Sequence, residues 1–391
     1  MTANPGSSLN LARADAYLLR APVERPMLTA FARLTARTSL IVRLEDRDGA
    51  VGWGEIYASF PSGSGEHRLN LLRAIFLPAL AGRDFAGPEE LYDHLTARTR
   101  VLSLQTGEPG PFAQCVSGLD IAAWDLVARR SGRTLAEALG GGRRDSVAAY
   151  LSGLDPDGPE KLAAAGFEAG HRAFKMKLGF GRDRDLRNAE AMRETLGPDT
   201  PVAMDVNQVW DAEETVRMAP RLAAFGPLWL EEPLAADTPF AVWQALARDV
   251  PIPLAAGENM RGEAVFDEAI ACGAFAVLQP DPIKWGGLSA LRRVVRRVTG
   301  AGLRFCPHFL GGGIGLLASA HLAAGCGGES TMVEVDQNEN PLREMLAQPF
   351  PRFVEGRMQL PQTPGLGIEP DLLAAKRHLV ADYSERLDVA R

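Results

Sequence analysis

The 391-residue chain has few cysteines and no long apolar runs, which excludes several classes of protein. Its four cysteines lie far apart with no CxxC pair, so we exclude a disulfide framework and expect a reducing, cytoplasmic setting. No stretch reaches the roughly 18 consecutive apolar residues of a membrane-spanning helix. The start, MTANPGSSLNLARADAYLLR, lacks the apolar core of a signal peptide. We therefore expect neither membrane association nor secretion.

An excess of positive charge is also missing. Lysine and arginine total 42 against 49 aspartates and glutamates, which gives a formal net charge of −7. A general nucleic-acid-binding protein needs a basic face to replace counterions, so we expect no nucleic-acid partner. The hydrophobic content of 46% and the charged content of 23% are ordinary for a globular protein. These values exclude disordered, collagen-like and coiled-coil chains.

Residues 1–140 are predicted to form a mixed α+β domain. A strand is expected over 10–19, and 38–57 is predicted to be a hairpin because Asp48-Gly49 separates two alternating apolar runs. The apolar spacing and the following glycine also predict a helix over 111–130, after two shorter helical stretches near 66–82 and 88–100.

After residue 140, short β-rich runs alternate with helix-length segments. Such alternation is typical of parallel strands joined by helical crossovers. Eight units in about 200 residues predict an α/β fold, a (β/α)8 TIM barrel over residues 141–350, with a doubly wound open sheet as the alternative. The tail, 351–391, is expected to pack back on the first domain. The predicted barrel strands are 147–151, 173–178, 201–206, 227–232, 253–258, 276–281, 304–308 and 332–336.

An ionisable residue lies at or near the end of each predicted strand from the second onward. The spacings between successive residues are 28, 26, 27, 23, 27 and 26, about one β/α unit each. Parallel barrel strands deliver their C-terminal ends to one face, and that face holds the active site of barrel enzymes. The seven residues are Lys177, Asp205, Glu231, Glu258, Asp281, His308 and Glu334.

Three consecutive members of this set, Asp205, Glu231 and Glu258, are predicted to form a metal site. Carboxylates at close range repel one another and raise one another's pKa unless a cation lies between them. Oxygen ligands favour Mg²⁺, one ion per site, with Mn²⁺ as a substitute. Zinc is disfavoured because the trio contains neither histidine nor cysteine.

Two bases are predicted to flank that site. Period-two alternation directs both Lys175 and Lys177 inward, and a nearby cation would lower the pKa of Lys177 enough to make it a base. Across the barrel, Asp281 is expected to fix the tautomer of His308. Glu334, if protonated, would donate a hydrogen bond to a developing oxyanion. This set suits abstraction of a proton α to a carboxylate, with Lys175 and the metal stabilising the enediolate that forms.

These motifs, in order and correctly spaced across nearly the whole chain, resemble the enolase superfamily and within it the mandelate racemase subgroup. The segments VGWGE (51–55) and SGLDIAAWDLVARRSG (117–132) resemble its capping-domain hairpin and interdomain helix. The motifs that carry the resemblance are Lys175-Met176-Lys177, Asp205-Val206-Asn207, Glu231-Glu232-Pro233, Gly257-Glu258-Asn259, Pro280-Asp281, Pro307-His308 and Glu334.

The resemblance implies an N-terminal α+β capping domain, a modified barrel and a C-terminal segment that returns to the cap. It implies that Asp205, Glu231 and Glu258 bind Mg²⁺, and that Lys177 and the His308–Asp281 dyad are the two acid/base groups. Lys175 and Glu334 become electrostatic partners. Asn207 matches a position that contacts ligand or metal-bound groups in relatives, and Lys284 falls where relatives carry lysine behind the ligands.

Specificity in the resembled family comes from cap loops, here expected at 22–36 and 58–67, the second a mobile lid. Phe309 and Trp285 are candidate substrate-binding residues that are equally compatible with core positions. The expected substrate is a small carboxylate, and we expect a homo-oligomer.

The same chemistry permits several reactions. Dehydration of a sugar acid or related hydroxy acid is favoured because it is the commonest outcome in the subgroup. Racemisation or epimerisation and lactone cycloisomerisation remain open, as does a non-catalytic metal-binding barrel.

Overall fold

A computed structural model describes residues 7–388, which form an N-terminal mixed domain and a barrel. The strands are β1 (Leu9–Leu28), β2 (Arg33–Asp46), β3 (Val51–Ile56), β4 (Asp84–Phe85), β5 (Ser146–Leu154), β6 (Phe174–Lys177), β7 (Val202–Asp205), β8 (Leu230–Glu231), β9 (Leu254–Ala256), β10 (Phe275–Leu278), β11 (Arg304–Phe305), β12 (Met332–Asp336), β13 (Phe353–Val354), β14 (Arg357–Gln359) and β15 (Leu379–Arg386). The helices are α1 (Ser64–Leu71), α2 (Leu77–Leu80), α3 (Pro88–Gln105), α4 (Pro109–Arg130), α5 (Leu135–Ala138), α6 (Pro159–Glu168), α7 (Arg182–Leu196), α8 (Ala212–Ala223), α9 (Phe240–Asp249), α10 (Glu263–Cys272), α11 (Ser289–Gly300), α12 (Gly313–Cys326), α13 (Pro341–Met345) and α14 (Leu372–Ala375). A π-helical turn (Leu72–Phe76) joins α1 to α2, and a 3₁₀ turn (Lys376–His378) follows α14. Within residues 7–388, every helix is too short or too polar to span a membrane.

The N-terminal domain is an antiparallel sheet, in the order β15-β1-β2-β3, covered by the long helix α4. The β2–β3 hairpin turns at the predicted position, where Gly49 adopts a φ of 83° that a glycine tolerates. Gly52 and Gly54 let α4 lie directly on the hairpin. A side chain at Gly54 would begin 1.9 Å from the Gly118 carbonyl oxygen. The VGWGE segment is therefore a packing surface for the helix.

Strands β5 to β11 follow one another in a parallel sheet, with helices between them. The last parallel strand, β12, pairs with the first, β5, over Met332–Asp336 and Ala148–Ser152. Among the described residues no ladder joins β11 to β12. The strand order, the parallel register and the β12–β5 pairing confirm the predicted modified (β/α)8 barrel. All eight predicted strands overlap the observed ones.

The C-terminal tail contributes to both sheets. Strands β13 and β14 form a hairpin that adds to the barrel sheet antiparallel to β5. The final strand, β15, pairs antiparallel with β1 over Arg13–Leu19 in the N-terminal domain. The tail thus connects the two sheets, although the sequence indicated only its packing on the first domain.

Buried polar contacts fix the N-terminal domain over the barrel. Asp120 on α4 accepts hydrogen bonds from the backbone of Leu288 and Ser289 at 2.6 and 2.9 Å and from the Ser289 hydroxyl at 2.5 Å. Burial raises its pKa to about 7, although these donors oppose the shift. Glu55 on β3 accepts from the backbone N–H groups of Gly312 and Gly315 at 2.6 and 2.8 Å. The cap is thereby held against the start of α12.

Candidate active site

The predicted site residues meet at the C-terminal mouth of the barrel because their strands are in register. Lys177 lies opposite Asp205, and Asp205 lies opposite Glu231 in the parallel ladders. Glu334 lies within β12, which adjoins β5. The remaining three residues, Glu258, Asp281 and His308, follow the ends of β9, β10 and β11 by two or three positions. The uniform spacing in the sequence therefore corresponds to one ring of side chains.

The three acidic residues predicted to bind metal have different electrostatic environments. Burial raises the pKa of Asp205 to about 7, and the neighbouring charge of Glu231 acts in the same direction. Burial also raises the pKa of Glu231. Burial acts to raise the pKa of Glu258 as well, but His308 and Lys284 outweigh it and hold that pKa well below its usual value. Two of the three carboxylates thus lack sufficient compensating positive charge.

Protein donors occupy the oxygens of these carboxylates. Glu231 accepts from Lys175 Nζ at 2.5 Å on one oxygen, and from Trp229 Nε1 and Gln279 Nε2 on the other. Glu258 accepts from Lys284 Nζ at 3.2 Å and lies 3.0 Å from His308 Nε2. With these partners in place, no three His, Cys, Asp or Glu side chains within residues 7–388 stand in ready metal-ligating geometry.

The donor chemistry nevertheless fits a hard divalent cation. Asn207 donates through its backbone N–H and its Nδ2 to the two oxygens of Asp205, at 2.9 and 2.8 Å. Its own Oδ1 is buried without a hydrogen-bond partner. An orphaned amide oxygen beside carboxylates whose pKa is raised is a set of oxygen donors short of positive charge. Mg²⁺ prefers such oxygen ligands.

The two lysines of β6 differ in the protonation state that their surroundings favour. Lys175 Nζ lies 2.5 Å from Glu231 and 2.9 Å from Glu334, and these carboxylates raise its pKa well above the usual value despite burial. Burial lowers the pKa of Lys177, partly opposed by Asp336, and its ammonium donates to the Leu28 carbonyl of the cap. Lys175 therefore remains a cation, and Lys177 is the lysine suited to act as a base.

His308 and Asp281 form the predicted dyad. His308 Nδ1 lies 2.7 Å from Asp281 Oδ2, and the other Asp281 oxygen accepts from the Ile283 backbone at 2.9 Å. Burial acts to lower the pKa of His308, but Glu258, Glu334 and the bond to Asp281 outweigh it and raise that pKa well above 6.5. In this arrangement the imidazole is held as a proton donor.

The surroundings of Glu334 do not favour the protonated form in which it would donate a hydrogen bond. Its Oε2 accepts from the Tyr150 hydroxyl at 3.1 Å and from the Phe309 backbone at 3.3 Å. Burial acts to raise its pKa, but Lys175 and His308 outweigh burial and lower it. Glu334 is therefore an ionised acceptor, and it anchors Lys175.

Two connected cavities lie at the mouth. The inner pocket, of about 60 Å³, is lined by both lysines of β6, Asp205, Asn207, His308, Phe309 and Glu334, together with Met27 and Thr29 of the cap. The outer chamber, of about 500 Å³, shares Thr29, Asn207, His308 and Leu310 with it. Residues 22–36 reach the site mainly as extensions of β1 and β2, with a turn at 29–32 between them, and Phe60 from the second predicted loop lines the chamber.

Trp285 is a correction to the sequence analysis. Its ring stacks on Phe266 of α10 with centroids 5.6 Å apart, and it lines neither the inner pocket nor the chamber. The residue lies four positions beyond Asp281, where the chain turns away from the mouth towards the interface of α10 with the cap. Phe309, the other aromatic candidate, does line the inner pocket.

Sequence reasoning missed several residues of the inner pocket. Asp336 follows Glu334 by two positions on β12, so the period-two argument applied to Lys175 and Lys177 would have found it. Its carboxylate pairs with Arg37 of the cap at 2.6 Å, with both side chains buried. Ser152 lies at the end of the first barrel strand, which was left out of the strand-end series.

Two family models and several curated enzymes match this chain. The model of the mandelate racemase / muconate lactonizing enzyme N-terminal domain matches residues 13–140, and the enolase C-terminal domain-like model matches residues 160–374. The D-galactarolactone cycloisomerase of Agrobacterium fabrum is 31% identical, and the alignment covers 90% of this chain and 94% of that protein. Other curated relatives carry the names of dehydratases, cycloisomerases and a racemase.

Solved structures agree with these matches. A mandelate racemase/muconate lactonizing enzyme from Bordetella bronchiseptica RB50 is 47% identical with a TM-score of 0.89, and the match covers 95% of this chain and all of that one. The L-talarate/galactarate dehydratase of Salmonella typhimurium LT2, solved with Mg and L-lyxarohydroxamate, is 26% identical with a TM-score of 0.85. That match covers 99% of this chain and 96% of the dehydratase.

Proposed function

Because the chain belongs to the mandelate racemase/muconate lactonizing enzyme subgroup of the enolase superfamily, we propose that it abstracts the proton α to a substrate carboxylate in a Mg²⁺-dependent reaction. The reaction we favour is dehydration of a sugar acid or a related hydroxy acid. The observation that carries the proposal is that Lys177 and His308 line one pocket, with Asp281 holding His308. Asp205 lines the same pocket, Glu231 lies opposite Asp205 in the sheet, and Glu258 contacts His308.

Asp205, Glu231 and Glu258 would hold the metal, with the orphaned oxygen of Asn207 beside them. When bound, Mg²⁺ supplies Lewis-acid binding of the substrate carboxylate and stabilises the negative charge that develops as the α-proton leaves. Mn²⁺ is the expected substitute because it accepts the same oxygen ligands. The Lys175 ammonium, held by Glu231 and Glu334, provides a second positive charge for the carboxylate.

Lys177 takes the α-proton on Nζ. Burial lowers the pKa of Lys177 and so shifts it towards the neutral amine, and its contact with the Leu28 carbonyl holds the side chain at the inner pocket. The cap strand that carries Leu28 also places Met27 in the lining of the inner pocket. Phe309 contributes apolar surface to the same pocket.

His308 donates a proton from Nε2. The bond from Nδ1 to Asp281 fixes the ring orientation and stabilises the imidazolium. In dehydration that proton goes to the departing β-hydroxyl, which leaves as water. A histidine held protonated suits this acid role.

Racemisation or epimerisation is the second candidate. Lys177 and His308 both line the inner pocket, and they come from separate strands, since β6 carries Lys177 and β11, five positions away in the parallel sheet, precedes His308. One group could remove the proton and the other could return it to the opposite face of the carbon. Cycloisomerisation of a lactone uses the same first step, and no contact in the site favours it specifically.

Incubation of the Mg²⁺-loaded protein with a panel of sugar acids and 2-hydroxy acids tests the proposal. A 2-keto-3-deoxy product, detected by NMR, is the expected result. An inverted α-carbon without loss of water would replace dehydration by epimerisation. A panel that shows neither product nor α-proton exchange, with Mg²⁺ demonstrably bound, would contradict the proposal.

A small carboxylate is the substrate class that accompanies this chemistry. Three sequence-based expectations stay predictions: a homo-oligomer, a cytoplasmic location, and domain limits at 1–140, 141–350 and 351–391. Light scattering on the purified protein tests the first of these directly.

A further inference from the structure

The inner pocket, of about 60 Å³, is the smaller of the two cavities and is lined by Lys177 and His308, the proposed acid/base groups. That space suits the carboxylate, the α-carbon and the leaving group. The remainder of a longer substrate must enter the outer chamber of about 500 Å³, which continues from the inner pocket past His308 and Asn207.

One side of the chamber is aromatic and apolar. Phe31 and Phe60 of the cap pack with ring centroids 5.5 Å apart, and Tyr57 and Leu310 continue this surface. Such a surface covers the carbon chain of a ligand and selects no charge. The charge preference must therefore come from the polar residues on the rest of the wall.

A buried arginine without an acidic partner lies next to Gln114, one of the polar residues that line the chamber. Arg68 on α1 is only 5% exposed and forms no ion pair among the described residues. Its Nε donates to Gln114 Oε1 at 2.9 Å, and its Nη1 donates to the Ser64 carbonyl. Glu108, an acidic residue nearby, bonds to His67 at 2.8 Å instead. A buried guanidinium usually has a carboxylate partner, whereas Arg68 has no carboxylate within ion-pairing distance among the described residues and Glu108 acts on it only from further away.

Gln114 lies between Arg68 and the chamber. Its Oε1 is taken by Arg68, so its Nε2 is the group left to donate to a ligand, and the residue lines the chamber. Arg261 lines the chamber too, is exposed, and forms no ion pair within residues 7–388. Its Nη1 lies 3.9 Å from where a side chain at Gly110 would begin, on the same helix as Gln114.

The other charged groups of the chamber are already committed. The Lys284 ammonium is held by Glu258 at 3.2 Å and Asn259 at 2.8 Å. Glu258 is the only acidic residue among those that line the chamber, and it belongs to the proposed metal site. Gln114 and Arg261 therefore present hydrogen-bond donors and a positive charge to the chamber, and neither is paired with an acidic side chain among the described residues.

We propose that Gln114 and Arg261, with Arg68 behind them, bind a second carboxylate at the far end of the substrate, so that the enzyme acts on dicarboxylic sugar acids. This inference rests on the proposed function and narrows its substrate class. A charged acceptor makes stronger hydrogen bonds to these donors than the hydroxyl at the end of a monocarboxylic acid.

Calorimetric binding to the Mg²⁺-loaded protein tests the inference without requiring turnover. The probes are two pairs that differ only in the terminal group, galactarate with galactonate and glucarate with gluconate, and mandelate as an apolar acid. Titrations into buffer with Mg²⁺ correct for chelation. Lys177→Ala, which the proposed function predicts to be inactive, repeats the series without turnover. At least one diacid is expected to bind tenfold or more tightly than its partner.

Two variants test whether Gln114 and Arg261 cause the preference for diacids. Gln114→Glu keeps an acceptor for Arg68 and so preserves the buried contact, but it places a negative charge where the second carboxylate would bind. Arg261→Met removes the exposed charge, and Arg248→Met on α9 is the matched control because Arg248 is exposed and lines neither cavity. Gln114→Glu and Arg261→Met are each expected to weaken diacid binding at least tenfold and to change monoacid binding less than threefold.

The outcomes separate this inference from the proposed function. Equal binding within each pair, equal losses for diacid and monoacid in the variants, or tighter binding of mandelate would overturn the diacid assignment while the α-proton chemistry stands. A diacid preference that the variants abolish, without exchange or product, would support the diacid site and contradict the proposed reaction. Failure of every acid to bind would overturn both.

Discussion

Replacing Asp281 with asparagine removes the charge behind the His308 imidazole and leaves the shape of the side chain almost unchanged. The Asp281 carboxylate is fully buried and lies 2.7 Å from His308 Nδ1. At an effective dielectric of about 20, a unit charge pair at that distance interacts by about 6 kcal/mol. Reorganisation recovers part of this energy, so we expect a loss of about 3–5 kcal/mol in imidazolium stabilisation. The expected decrease in kcat is about 10²–10⁴-fold.

The assay follows two rates in the same sample in D₂O with saturating Mg²⁺. Product formation requires a proton from His308, whereas exchange of the α-proton requires Lys177. Asp281→Asn is expected to slow product formation far more than exchange, so that the ratio of exchange to product rises. Asp237→Asn is the matched control, because Asp237 is exposed and lies outside both cavities.

An Asp281→Asn protein that keeps kcat within threefold of the native value would contradict this role of Asp281. An equal decrease in exchange and product formation would contradict it too, because the carboxylate would then act on the whole site. Circular dichroism and the melting temperature identify a folding defect, and we expect no large change in either. The variant keeps an oxygen that can accept the hydrogen bond from the Ile283 backbone.

Three further predictions concern the metal, the cap and acid stability. EDTA should abolish activity and lower Tm, since a ligand at 100 times its Kd stabilises by about 2.7 kcal/mol, and Mg²⁺ should restore both; full activity in a verified metal-free sample would contradict the metal site. Glu55→Gln should lower the free energy of unfolding by about 2–4 kcal/mol, because one amide cannot accept the hydrogen bonds from Ser39, Gly312 and Gly315 together. At roughly 0.8 kcal/mol per degree, the expected decrease in Tm is about 2–5 °C. An unchanged Tm would contradict this role of Glu55. Burial lowers the pKa of His321 from 6.5 to about 4, so between these pH values the unfolded chain binds a proton that the folded chain does not. The free energy of unfolding should therefore fall by about 3 kcal/mol as the pH falls from 6.5 to 4. Urea unfolding measured against pH checks this, and His321→Gln should flatten the profile.

The ring of site residues could be predicted from the sequence because the barrel repeats one unit. Each β/α unit returns the chain to the same face, so a polar residue at a regular interval marks one mouth. Lys177, Asp205 and Glu231 meet there because their strands pair in register. The two lysines on β6 follow from strand periodicity, which is a local property of the chain.

Contacts between distant segments could not be predicted in this way. Arg37 and Asp336 pair across 299 positions, and nothing in either local sequence indicates the partner. Glu55 lies in a hairpin motif whose own pattern gives no sign that it binds the start of α12. Trp285 follows a catalytic motif by four positions, yet the chain direction after β10 places it against α10. Such contacts depend on how the cap docks on the barrel.

The charge states of the site residues could not be predicted from the sequence, because each depends on burial and on the summed effect of several neighbouring charges. Glu334 and Glu231 are both buried acidic residues beside Lys175, but the pKa of Glu334 is lowered and the pKa of Glu231 is raised. His308 acts with Lys175 on Glu334, whereas Glu231 has Glu334 and Glu258 as acidic neighbours. Glu334 is therefore an ionised acceptor, and the condition under which it would donate a hydrogen bond is not met.

The proposed division of labour between Lys177 and His308 is tested most directly by α-proton exchange. Native protein, Lys177→Ala and His308→Asn are incubated with Mg²⁺ and a sugar acid that the native protein dehydrates, in D₂O, and followed by NMR. We predict that Lys177→Ala loses exchange and product, and that His308→Asn loses product while exchange persists. Native rates of exchange and product in a correctly folded Lys177→Ala protein would contradict the assignment of the base and, with it, the proposed mechanism.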